Sequence, residues 1–208
     1  MKAHSFIYLI IYSCFIMSVS LQAQEHFADR YNVSYITMDD GLPHNFIDDI
    51  YKDTRGFLWI STAGGGLSRY DGYEFIHFNP NTPHSKLKSN FIHNVYEDRF
   101  HRLWIVSEGG TDIIDLSTLQ SVIPNDPKGL LPRFINHPTY IVILDSQGCI
   151  WLQCDNALHR ITFDAEGGID TLSTLDLPEQ DEPDLILKDI DEDGKIWTGR
   201  SEEHTSEL

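Results

Sequence analysis

Apolar residues in this chain gather in short runs that glycines and polar turns interrupt at regular intervals. The clearest example opens with Asp53-Thr54-Arg55-Gly56, a turn tetrad in which the Asp can bond its own backbone and the Gly can leave the turn at positive φ. Phe57 to Thr62 follows as an aromatic and β-branched run with little polar alternation, the pattern of a strand covered on both faces. Glycines 64 to 66 break it, Leu67 to Tyr70 forms a second run, and Asp71-Gly72 is a hairpin signal before Tyr73 to Phe78. The pattern predicts three antiparallel strands in a meander.

The same pattern recurs along the chain. Its four tryptophans, Trp59, Trp104, Trp151 and Trp197, are separated by steps of 45, 47 and 46 residues. Six residues before them stand Asp53, Asp98, Asp145 and Asp191. Three residues before them stand Gly56, Gly148 and Gly194, with His101 in that place in the second repeat. Upstream, Leu42-Pro43-His44-Asn45-Phe46-Ile47 is echoed by Leu87-Lys88-Ser89-Asn90-Phe91-Ile92. A period of about 40–50 residues built from short strands and tight turns is the signature of a β-propeller, one repeat to a four-stranded blade. The fold expected is all-β.

The stretches GLPHNFIDDIYKD, RGFLWIST and GGLSRYDGYEF resemble the two-component regulator propeller repeat. The likeness is close over Gly41 to Phe78, good over Leu87 to Asp115, and looser over Thr139 to Phe163 and Leu185 to Gly199. The resemblance implies the periplasmic sensor of a bacterial hybrid two-component system, of the kind tuned to polysaccharide use. It also implies an oligosaccharide ligand and a homodimer formed through the full-length protein. Inner-membrane anchoring would come only from a C-terminal segment, with a histidine kinase beyond it in the parent protein.

The ends of the chain read differently. Lys2, the apolar Phe6 to Leu21 and the small-residue site Leu21-Gln22-Ala23 are the parts of a signal peptide, residues 1–23, with an uncleaved anchor as the alternative. Arg200 to Leu208, RSEEHTSEL, resembles a translated sequencing-adapter oligonucleotide and is expected to be a scar. The propeller then occupies residues 24–199, an incomplete ring of about three to four blades. Residues 79–89, 122–138 and 175–184, rich in polar residues, proline or acids, read as connections on its rims.

A formal charge of −17 excludes the chain as a binder of nucleic-acid backbone. Asp189-Ile190-Asp191-Glu192-Asp193-Gly194 matches half of an EF-hand loop, but Arg200 stands where the bidentate Glu belongs, and the segment aligns with the turn of the other repeats. A hairpin turn is the expectation, with no metal and no cofactor. Cys149 and Cys154 lie five apart on one expected strand, pointing to opposite faces, so no disulfide is expected. No catalytic motif occurs, and the pairs Asp39-Asp40 and Asp48-Asp49 cannot each form a two-carboxylate site alone if they lie on strands. The tryptophans are expected to pack between blades. Ligand contacts fall to rim residues, with His44, Asn45, Tyr73 and His93 as candidates. A secreted propeller enzyme acting on polysaccharide and a propeller interaction scaffold are the alternatives to a sensor.

Overall fold

A computed structural model describes residues 34–83, 86–133, 135–154, 157–177, 185–191 and 193–200. The expected signal peptide and residues 201–208 of the expected scar lie outside them. The chain divides into two compact units, Met1–Ile36 and Thr37–Leu208. Of the first, residues 34–36 are described; they are exposed and form no regular element.

The second unit is built of antiparallel sheets in chain order. Blade 1 comprises β1 (Ile47–Lys52), β2 (Leu58–Thr62), β3 (Gly66–Tyr70) and β4 (Phe75–Phe78). Blade 2 comprises β5 (Ile92–Glu97), β6 (Arg102–Ser107), β7 (Gly110–Asp115) and β8 (Gln120–Ser121). Blade 3 comprises β9 (Thr139–Leu144), β10 (Ile150–Cys154), β11 (Ala157–Phe163) and β12 (Ile169–Asp176), and β13 (Leu185–Ile190) pairs with β14 (Ile196–Arg200) in blade 4. The first strands of successive blades, β1, β5, β9 and β13, lie side by side around a common hub. Among the described residues there is no α-helix.

The meander predicted over 53–78 is present, with β1 added on its inner side. Its last strand starts at Phe75 rather than Tyr73, because Asp71 Oδ1 accepts the N–H groups of Tyr73 and Glu74, both at 2.8 Å, and holds them in the turn.

One side-chain device is repeated in every blade. Asp53 Oδ1 accepts N–H bonds from Arg55 and Phe57, at 3.0 and 2.9 Å, and its Oδ2 accepts Trp59 Nε1–H at 2.9 Å. Asp98 does the same with Phe100, Arg102 and Trp104, at 2.9, 3.1 and 2.8 Å. Asp145 takes Gln147, Cys149 and Trp151 at 3.0, 2.9 and 2.8 Å. Asp191 takes Asp193, Lys195 and Trp197 at 3.1, 2.8 and 3.1 Å. The spacing now has a cause: the turn supplies donors two and four residues on, and the strand leaving it brings the indole above the other oxygen at six. Gly56, Gly148 and Gly194 hold φ of 94°, 77° and 78° there, and His101 takes 58°. The acidic turn once comparable to a calcium loop is this same hairpin, with both Asp191 oxygens engaged.

Three of the tryptophans face the next blade. Trp59 joins Leu67, Val95 and Ile105 in the core between blades 1 and 2, and Trp104 joins Val142, Leu152 and Phe163 between blades 2 and 3. Trp151 borders a smaller cluster of Leu158, Leu187 and Ile190. Trp197 has no further sheet against it among the described residues and stays 50% exposed.

The blades are also tied at both ends. At the Asp-turn end, Arg55 donates to Leu116 O, Arg99 to Phe163 O and Arg102 to Gly167 O, each reaching the following blade. Glu97, buried, accepts Thr54 N–H and Oγ1–H from blade 1, both at 2.7 Å, and lies 2.8 Å from His101 Nδ1. At the other end, Asn90 O accepts the N–H groups of Gly64 and Gly66, and the Ala63 to Phe91 bridge joins blade 1 to the leader of blade 2. The LKSN segment thus enters blade 2 while clasping blade 1, with Leu87 in the core, whereas its LPHN echo enters blade 1.

Asp98 and Asp145 each take a fourth donor, Arg102 Nε at 2.7 Å and Arg160 Nε at 3.3 Å, and the Asp98 pair is the shorter and the more deeply buried. Asp98→Ala leaves a buried guanidinium and an indole N–H without their acceptor. We expect a loss of about 3–5 kcal/mol, read as a lower urea midpoint, and a smaller loss for the more exposed Asp191→Ala.

Candidate functional site

Propeller geometry brings the edges of β1, β5, β9 and β13 to the hub, where they enclose an open cavity of about 250 Å³. Asp49 and Tyr51 of β1, Asn94 and Tyr96 of β5, and Lys188 and Asp189 of β13 line it. The pairing register slips at the second residue of β1 and of β5 and at the fourth of β13, so that Asp48, His93 and Lys188 are inserted as bulges. In blade 3 the same slip sets Tyr140 apart between Thr139 and Ile141. Bulges re-aim side chains, and here they lie at the ends of the strands nearest the axis.

Part of this polar lining holds neighbouring blades. Asn94 sits between blades 2 and 3, its Oδ1 accepting Val142 N–H at 3.0 Å and its Nδ2 donating to Val142 O at 3.1 Å. Asp49 is its counterpart one blade earlier, accepting Val95 N–H at 3.3 Å. Ile141 stands at that place in blade 3, and Gln153 Oε1 accepts Leu187 N–H instead, at 2.8 Å. Burial pushes the Asp49 carboxyl above its ordinary range, against the lowering effect of the Val95 and Ile50 N–H groups. Burial likewise pushes the Tyr51 phenol up to about 12, aided by the nearby charges of Glu97 and Asp53, so it remains a donor at any physiological pH. Its ring packs on Tyr96 with centroids 5.1 Å apart. A cavity with two phenols, an ammonium and carboxylates offers both donors and acceptors to a hydroxylated ligand.

The candidate rim residues do not converge as a set. His44 and Asn45 precede β1 and His93 lies in β5, so all three stand at the end of the blades where β2 turns into β3. His44 Nδ1 accepts Phe46 N–H at 3.1 Å, and the His93 ring lies 5.7 Å from Tyr140 with its Nε2 enclosed and lacking a partner among the described residues. Tyr73 is 92% exposed in the β3–β4 turn, at the opposite end. Asp39 and Asp40 belong to a 3₁₀ turn rather than a strand, with Asp40 Oδ2 accepting Thr37 N–H at 2.9 Å as its cap. Cys149 and Cys154 are both buried, and Cys149, which precedes β10, accepts a bond from Arg160 Nη2 at 3.0 Å. Asp49, Asn94 and Gln153 were not among the sequence candidates. An acid or amide four residues before each of the first two repeat aspartates was their only trace.

Four-stranded antiparallel blades sharing a hub, each opening on its innermost strand, define a β-propeller. Residues 41–64 and 86–109 match the Two component regulator propeller family, and these two stretches are repeats of that family. No curated protein matches the chain. Among solved structures, the extracellular domain of BT4673 of B. thetaiotaomicron, described as a hybrid two component system, aligns at 26% identity with a TM-score of 0.56, covering 82% of this chain and 24% of that one. A second structure of the BT4673 extracellular domain, described as a one component system, gives 27% and 0.52, covering 76% and 22%. The extracellular domain of the hybrid two component system BT3049 of the same organism gives 21% and 0.55, covering 81% and 29%, a likeness that bears on the fold alone. The chain thus spans less than a third of each of these structures.

The raised Asp49 carboxyl has a signed consequence. A folded-state pKa above the unfolded value means that stability from the bound proton is fully present below about pH 4 and is lost as pH rises through the folded value. Asp49→Asn, which installs the amide already used at Asn94, should raise the urea midpoint at neutral pH and change it little in acid. An equal shift at both pH values would show that ionisation is not the cause.

Proposed function

We propose that this chain is ligand-sensing propeller from a hybrid two-component regulator, that it works in the periplasm, and that its ligand is an oligosaccharide. The observation that carries the reading is the match of two stretches to the family's repeat together with the likeness to the BT4673 extracellular domain described as a hybrid two component system, at 26% identity. The hub chemistry supports the choice of ligand, since paired phenols beside carboxylates and an ammonium suit hydroxyl groups that both donate and accept. The parent protein carries the kinase and the membrane anchor outside this chain and works as a homodimer. Blades latched at hub and rim move as one body, so the ligand acts by favouring one arrangement of two propellers over another, and that difference in affinity shifts the population of signalling states.

Calorimetric titration of the parent's complete ectodomain against a broad glycan panel tests this. Saturable binding of one related group of oligosaccharides is expected. Titrations flat across the panel would sink the ligand assignment.

A further inference from the structure

Blade 2 departs from blade 1 in its outermost strand. β4 pairs with β3 from Leu67↔Phe78 to Tyr70↔Phe75, whereas β8 pairs with β7 only at Ile114↔Ser121 and Asp115↔Gln120. The chain leaves the sheet after Val122, whose N–H still donates to Ile113 O at 2.9 Å, and returns at Ile135, whose carbonyl accepts Thr111 N–H at 3.0 Å. Between the uncovered edge of β7 and this proline-rich loop lies a cavity of about 680 Å³. That is the size of a small-ligand site.

The described residues of this loop are tied to each other and to blade 3. Asp126 Oδ2 accepts Leu131 N–H at 2.8 Å, and Leu131 O accepts Ile135 N–H at 3.0 Å. Asn125 O accepts Ile169 N–H at 2.7 Å, and Lys128 Nζ donates to Asp170 O at 2.5 Å, both reaching blade 3. The side chain of Leu131 is buried in the core shared by blades 2 and 3.

The lining is apolar on one side, with Val122, Leu131 and Ile135, and polar on the other, with Lys88, Asp112 and Asp126. Lys88 Nζ donates to Thr111 O at 2.6 Å and to Asp112 Oδ1 at 2.8 Å, leaving one ammonium N–H without an acceptor among the described residues. Asp126 Oδ1 is enclosed and has no donor among them. Each class of ligand meets these groups differently. A cation is opposed by Lys88 and an anion by Asp112 and Asp126, while a wholly apolar molecule leaves the spare N–H and the bare oxygen unmet. A neutral sugar ring lays its C–H groups on the apolar wall and lets its hydroxyls accept from Lys88 and donate to Asp126.

We infer that this cavity is a glycan subsite, separate from the hub, that takes one neutral sugar ring. The choice of a sugar over another neutral polar molecule rests on the oligosaccharide reading above. The test is amide chemical-shift mapping on the full chain with millimolar neutral mono- and disaccharides, repeated with Ile123→Trp and Asp126→Asn. Ile123 is 76% exposed at the lip, so the Trp fills the cavity without entering the core. The Asn keeps an oxygen for Leu131 N–H but replaces the bare acceptor. Expected are shifts confined to the amides around Ile113, Val122 and Ile135, with affinity about tenfold weaker in each variant and thermal melting unchanged in both. Shifts centred on Tyr51, Asn94 and Tyr96 and indifferent to both variants would overturn the subsite while leaving the glycan reading in place. No shift with any sugar would overturn both.

Discussion

Everything in this propeller hangs on one carboxylate held in the turn between each blade's first and second strands. Its two oxygens do different jobs: one closes the turn through two backbone N–H groups, and the other fixes the indole that packs against the following blade. A local turn and a long-range interface are thereby set by the same residue. Because the acceptor is ionised, these bonds are stronger than those of a neutral group. Asp191 shows that the device closes even without a covering blade: the N–H groups of Lys195 and Trp197 hold its carboxyl below the usual range at the surface.

Packing then decides how much each copy contributes. Trp59 and Trp104 are fully enclosed, while Trp197 makes the same hydrogen bond with half its surface in water. The bond is a property of the repeat, and the burial is a property of the neighbour. This is the energetic pattern of repeat architectures, where stability is a sum of unit and interface terms. Neighbouring blades are joined by indoles, by arginines reaching carbonyls of the next blade and by the leader of blade 2 clasping a turn of blade 1.

Departures from the repeat are where individuality lies. His101 takes a left-handed backbone position filled by glycine in the other repeats, and its imidazole meets a buried glutamate that grips the adjacent blade. Ile141 cannot cap the next inner strand as Asp49 and Asn94 do, so Gln153 reaches across from a neighbouring strand. β8 stops after two residues, and a pinned loop takes the space that a full strand occupies in blade 1.

The amino-acid sequence by itself determined the blade. Short apolar runs, turn glycines and the six-residue interval from aspartate to tryptophan are local constraints, so turns, strands and their recurrence could be read directly. Even there the start of β4 was misplaced, because the carboxylate of Asp71 captures two N–H groups that the apolar pattern assigns to a strand. What only the tertiary structure decided is which residues share a site. His44, Asn45 and His93 fall at one end and Tyr73 at the other because strand direction alternates, a fact carried by pairing rather than by spacing. The hub residues come from four repeats, and the outer cavity joins the leader of blade 2, the edge of β7 and a loop more than thirty residues further on. Such meetings arise from how blades stack, and stacking is set by surfaces that no single stretch of chain contains.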